Sequence, residues 1–174
     1  TWMMDAIGAP VALTGLLVPV REYGSLIPQL VIAALVRRQP IRKWVWVIGS
    51  LVQAAAVLGM GLVAWFMGGI PAGLAIIFGL AVFSLARGLS SVAAKDVLGK
   101  TIPKKQRRQL TGWATSAAGL LSIAVGIVLI LPVSGRLDES LLGVLLVGAG
   151  LLWLVAAAIY SRVPEPAGET GGGR

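Results

Sequence analysis

The chain contains no cysteine and no histidine. The first absence excludes disulfides, the second removes the side chain best suited to proton transfer near neutral pH, and together they exclude Cys/His zinc sites. Charge is scarce as well: 13% of the 174 residues are charged and seven of those are acidic, against about 25% charged in an average soluble protein. No P-loop, no GxSxG elbow, no metal-ligand cluster and no redox motif occurs, so no catalytic residue, cofactor or metal is expected. The 23 glycines lie inside apolar runs, not in strand–loop–helix settings. What is present is apolar sequence, 57% hydrophobic with a mean hydropathy of +0.89. A chain of this length has room for five or six membrane spans of about 20 residues each.

The net charge of +8 would suit a nucleic-acid partner if it formed a patch. Instead the basic residues concentrate in short loops between apolar runs, the pattern of membrane insertion, and no nucleic acid is expected. Residues 1–8 read as the tail of a helix that begins upstream. Complete spans are expected over about 11–36, 44–67, 72–100, 110–131 and 141–160, with residues 1–162 forming an all-α transmembrane bundle. Residues 163–174, rich in Pro, Glu and Gly, read as a cytoplasmic linker. Loop 37–43 carries four positive charges and loop 100–108 five, whereas 68–71 carries none and 134–140 is net −1. The positive-inside rule then places 37–43, 100–108 and the tail in the cytoplasm, across a membrane of the bacterial inner (plasma) type. Trp44, Trp46 and Trp113 at one set of helix ends and Trp65 at the other fit aromatic belts.

Within the apolar runs a few charges stand out. Arg21 and Glu22 interrupt the 11–36 run, and Arg87 interrupts the third. A charge at bilayer depth costs at least about 2.5 kcal/mol, so such residues face protein or water and find partners. Glu22, Ser25 and Gln29 share one helix face, as a helix lining a polar cavity would show; a structural cluster that glues helices gives the same pattern. Pro19 and Pro28 should loosen this helix. Glu22 and Arg87 sit at comparable depth and make a candidate interhelical ion pair, with Arg21 competing for the same carboxylate. The Arg87 face continues through Ser91 and Lys95, and Asp96 and Lys100 form an i,i+4 pair. Ser50 and Gln53 make a polar spot in the second span, while Ala118, Ser122 and Gly126 form a small-residue ridge suited to close helix packing.

Taken together, these segments resemble the N-terminal half of a major facilitator superfamily transporter. The family's basic loop after its second span, G-x-x-x-D-R-x-G-R-R, is matched by AALVRRQPIRK (33–43). This chain keeps Arg38, Arg42 and Lys43 and departs at Ala33, Arg37 and Pro40. Arg87 stands where the family's fourth span carries R-x-x-x-G. Pro103, Arg107 or Arg108, and Gly112 resemble the connection P-x-x-x-R-x-x-x-G into the fifth. The sequence APVALTGLLVPVREYGSLIPQL resembles the second span. The resemblance implies spans two to six of a six-helix half, a second half elsewhere in the same protein, and a solute site near the midplane. It implies secondary active transport of a small solute by alternating access, with Glu22, Ser25, Gln29, Arg87 and Ser91 along the solute or proton route. Arg21 would be the intramembrane charge partner, and any proton coupling would run through Glu22 or Asp96. The alternative is a non-transporting membrane scaffold whose buried charges specify packing.

Overall fold

The computed structural model describes residues 4, 6–26, 33–34, 36, 38–130 and 139–168. Five helices dominate: α1 (Val11–Leu26), α2 (Lys43–Phe66), α3 (Gly69–Thr101), α4 (Lys104–Ile130) and α5 (Glu139–Ser161), and no strand occurs among the described residues. Four of them, α2 to α5, are long and apolar enough to cross a membrane. The chain is therefore an all-helical, polytopic membrane protein. Of the run expected at 11–36, α1 and residues 33–34 and 36 are helical, and 27–32 lie outside the described residues. α1 continues through Pro19.

Local chemistry explains the helix boundaries. Gly68-Gly69 turns the chain between α2 and α3, with Gly69 at φ +67°, a backbone conformation that a side chain would strain. Pro71 falls in the first turn of α3, where its missing N–H leaves no hydrogen bond unmade. The expected basic loop 100–108 is shorter than its charge suggested. Only Ile102 and Pro103 separate α3 from α4, and Lys104 to Arg108 form the opening turns of α4. Pro103 cannot continue α3, and its carbonyl accepts the Gln106 N–H (2.9 Å) that starts the next helix.

α2 is the centre of the bundle, packed against both α3 and α5, while α1 lies on α3. Small residues allow the close approach. A Cβ on Gly49 of α2 would run into the Ser90 hydroxyl and lie 3.2 Å from the Ala86 carbonyl oxygen of α3, and one on Gly150 of α5 would lie 2.6 Å from Leu58. Without a hydrophobic drive between helices in lipid, this backbone-to-backbone fit is the main source of association. Met4, Ile7, Ala9, Val57, Met60, Ala72 and Ile76 close one end of the bundle; Val36 and Ala93, with Val45 and Trp46, close the other. α4 stands apart: no residue from 104 to 127 is buried. The ridge Ala118–Ser122–Gly126 therefore meets no helix among the described residues, and the Ser122 hydroxyl bonds back to the Ala118 carbonyl (2.9 Å).

Two glycines of α2 provide a test of this packing. Gly59→Ala enters open space and gains helix propensity, about 0.5–1 kcal/mol. Gly49→Ala must displace Ser90 and press on the α3 backbone, an overpacking cost of about 1–3 kcal/mol. Thermal unfolding in detergent should place the two variants on opposite sides of the parent. A Gly49→Ala protein as stable as Gly59→Ala would refute the α2–α3 contact.

Candidate functional site

At one end of the bundle three separate segments converge on a charged cluster. The turn before α2 supplies Arg42 and Lys43, the last turns of α3 supply Asp96 and Lys100, and the chain after α5 supplies Glu165. Arg42 is 7% exposed; its Nη1 lies 2.5 Å from Asp96 Oδ1, and its Nε donates to the Val36 carbonyl (3.2 Å). Lys100 Nζ bridges two carboxylates, at 3.1 Å from Asp96 Oδ2 and 3.1 Å from Glu165 Oε1. The Glu165 side chain is 0% exposed. It also accepts the backbone N–H of Arg42 (3.1 Å) and of Lys43 (2.6 Å). These are orphan donors at the start of α2, where the positive end of the helix dipole also favours a carboxylate. Lys43 makes the reverse contact at the end of α5, donating to the carbonyls of Ser161 (3.1 Å) and Val163 (2.9 Å). Stacking of Trp46 on Tyr160, with centroids 4.0 Å apart, extends the α2–α5 seam below it.

This cluster changes the reading of the tail. The expected linker is docked as far as Gly168, whose N–H donates to the Pro40 carbonyl (2.9 Å), and 169–174 lie outside the described residues. The reason is electrostatic: two helix-start N–H groups and one ammonium need an anion, and Glu165 provides it. Sequence reasoning missed Glu165. The available signal was an acidic residue between two prolines directly after a helix, facing an end with few carboxylates. The expected Asp96–Lys100 pair is present, with Arg42 added.

A second polar group lies midway along α2, inside the bundle. Gln53 is fully buried, and its Nε2 donates to the Gly49 carbonyl and to Ser90 Oγ on α3, both at 3.1 Å. Ser50, one turn away on α2, and Ser84, further along α3, are buried as well, at 0% and 1% exposure. Among the described residues the Ser50 and Ser84 hydroxyls and Gln53 Oε1 have no hydrogen-bond partner. A buried polar oxygen left so costs about 1–3 kcal/mol.

The remaining sequence candidates sit elsewhere. Arg21 and Glu22 are paired with each other at 3.7 Å, with side chains 60% and 61% exposed on α1. Arg87 is exposed instead of turned into the bundle, and it takes part in none of the ion pairs of the described residues. It lies about 27 Å along α3 from Gly69, at bilayer depth. Ser91 and Lys95 are exposed on the same stripe. Arg38 is exposed at the helix end. Ser25 belongs to the last turn of α1, but its side chain and all of Gln29 lie outside the described residues. Among the described residues no group of acidic side chains could hold a metal ion. The chain matches no protein family model, no curated protein and no solved structure.

Proposed function

We propose that the chain is the N-terminal part of a secondary active transporter of the major facilitator type, moving a small solute by alternating access. The observation that carries this reading is the charged cluster Arg42–Asp96–Lys100–Glu165. At a helix end these groups could each be hydrated separately. Gathering them inside instead costs desolvation, which offsets much of the Coulombic gain, so the network is poorly explained by stability alone. It holds three segments together by contacts that exchange readily for water, as a gate that must close and open requires. On this reading the cluster is the closed gate on the cytoplasmic side. The exposed face of Arg87, Ser91 and Lys95, together with Arg21 and Glu22, lines the route, because charge at that depth needs water or a partner.

One observation favours the alternative of a non-transporting scaffold. No residue of α4 from 104 to 127 is buried, as an assembly helix would require. A cysteine at position 91 separates the two readings, since the natural chain has none. In a transporter, a small impermeant maleimide should label it from both sides of the membrane in turn. Glu165→Gln should raise labelling from the cluster side by about thirtyfold, the factor that corresponds to about 2 kcal/mol of gate destabilisation. Labelling confined to one side, and indifferent to Glu165→Gln, would refute alternating access and leave the scaffold.

A further inference from the structure

The carboxylate that completes the charged cluster comes from a segment with few other attachments. From 164 to 168 the chain is irregular, and Pro164, Pro166 and Ala167 are exposed. The two prolines carry no N–H, so they cannot tie the backbone down. Among the described residues, 164–168 are held by the Glu165 carboxylate and by the Gly168 N–H on the Pro40 carbonyl (2.9 Å). Gly168 fits only without a side chain, because a Cβ there would run into the Lys100 ammonium. The segment is a strap with one charged prong.

The seat that receives the prong is built from fixed parts. Two consecutive N–H groups at the start of the 24-residue α2 meet the two carboxylate oxygens separately. Arg42 donates to Oε1 (3.1 Å) and Lys43 to Oε2 (2.6 Å). Lys100, from the last turn of α3, brings its ammonium to Oε1 at 3.1 Å. This is more than a helix start: a cation of a second helix closes it, and it holds a carboxylate whose side chain is wholly enclosed. Lys43 also grips the Ser161 and Val163 carbonyls, which precede Glu165. Withdrawal of the strap would therefore leave the start of α2 and the end of α5 joined. It would also leave Arg42, Lys43 and Lys100 with Asp96 as the remaining carboxylate of the cluster, an excess of positive charge that favours an incoming anion.

We propose that the Glu165 seat is an exchangeable carboxylate site, in which a small free carboxylate takes the place of the Glu165 side chain and releases the strap from Pro164 to Gly168. On the gate reading, such an anion loosens the gate. The seat itself stands on the cluster geometry and not on transport, so one-sided labelling at position 91 would leave it intact. A tether of a few residues keeps Glu165 at an effective concentration of at least millimolar order, so a free carboxylate competes only when abundant.

The test is chemical replacement. Glu165→Ala removes a CH₂–carboxylate, which acetate supplies. Amide hydrogen exchange of the full chain is compared in about 0.5 M sodium acetate and in sodium chloride of the same concentration. In the variant, acetate should slow the Arg42 and Lys43 amides by about tenfold, the factor for a ligand at ten times its dissociation constant, while Gly168 stays fast. Adding Lys100→Gln should bring that protection down to about threefold or less, because the charge-assisted contact is lost. Equal exchange in acetate and chloride would overturn the proposal, and so would protection indifferent to Lys100. Should Glu165→Ala lose its helical circular dichroism, the natural chain decides. There acetate should speed Gly168 exchange by about tenfold while Arg42 and Lys43 stay slow, and an unchanged Gly168 would overturn the exchange.

Discussion

Asp96→Asn should lower the thermal unfolding midpoint by about 5–10 °C, the shift that about 2–3 kcal/mol produces in a chain of this size. The residue removed is not the most buried of the pair; its side chain is 35% exposed and that of Arg42 is 8%. The loss falls on Arg42. Its guanidinium cannot shed a proton to escape burial, and with asparagine opposite it loses the Asp96 carboxylate as counter-charge. Breaking a buried pair from one side costs about 3–5 kcal/mol, and partial solvation of Asp96 brings the figure down to that stated. The double variant Arg42→Met/Asp96→Leu removes both charges and should recover most of the midpoint. An unchanged midpoint in Asp96→Asn, measured in detergent by intrinsic fluorescence, would show the pair to be absent in solution.

Glu165→Gln should release the segment after α5 while leaving the helices in place. The carboxylate accepts from three donors, the N–H groups of Arg42 and Lys43 and the ammonium of Lys100. A glutamine oxygen can still meet one side of this set, but its NH₂ must then face donors on the other. Stranding buried donors costs about 1–3 kcal/mol, and about 2 kcal/mol corresponds to roughly thirtyfold in local opening. Hydrogen exchange reads this directly. The amides of Arg42, Lys43 and Gly168 should exchange about thirtyfold faster, whereas those at the centre of α2 should not change. Uniform acceleration across α2 would mean that Glu165 supports the whole bundle. No acceleration at Gly168 would mean that the tail is held by something other than this carboxylate.

Much of this architecture could be read from the chain. The spans expected at 44–67, 72–100, 110–131 and 141–160 correspond to α2, α3, α4 and α5, with the largest shift at Lys104, where basic residues expected in a loop begin a helix. Loop 37–43, the α3–α4 connection and the tail were expected on one side of the membrane. Arg42, Lys100 and Glu165 do share one end of the bundle. Sequence reasoning also found the Asp96–Lys100 pair and the polar spot at Ser50 and Gln53. It placed the emphasis differently, however. Arg21, Glu22 and Arg87 drew attention because charge is rare in apolar sequence, yet they are exposed and take no part in the cluster. Glu165, in a segment with the composition of a linker, is the most enclosed carboxylate of the cluster.

Helices, turns and apolar lengths belonged to the sequence alone, because each depends on neighbours within a few residues. A proline without an N–H, a paired glycine or a bilayer's length of apolar side chains acts wherever it stands. Only the tertiary structure decided which charges meet. The Arg42–Glu165 contact joins residues 123 apart, and it exists because α2 and α5 pack along a seam of Gly61, Gly143 and Gly150 that brings the start of one to the end of the other. The exposure of α4 was settled at the same level. Its ridge of small residues is legible in one dimension, but whether a partner covers it depends on where the other helices go.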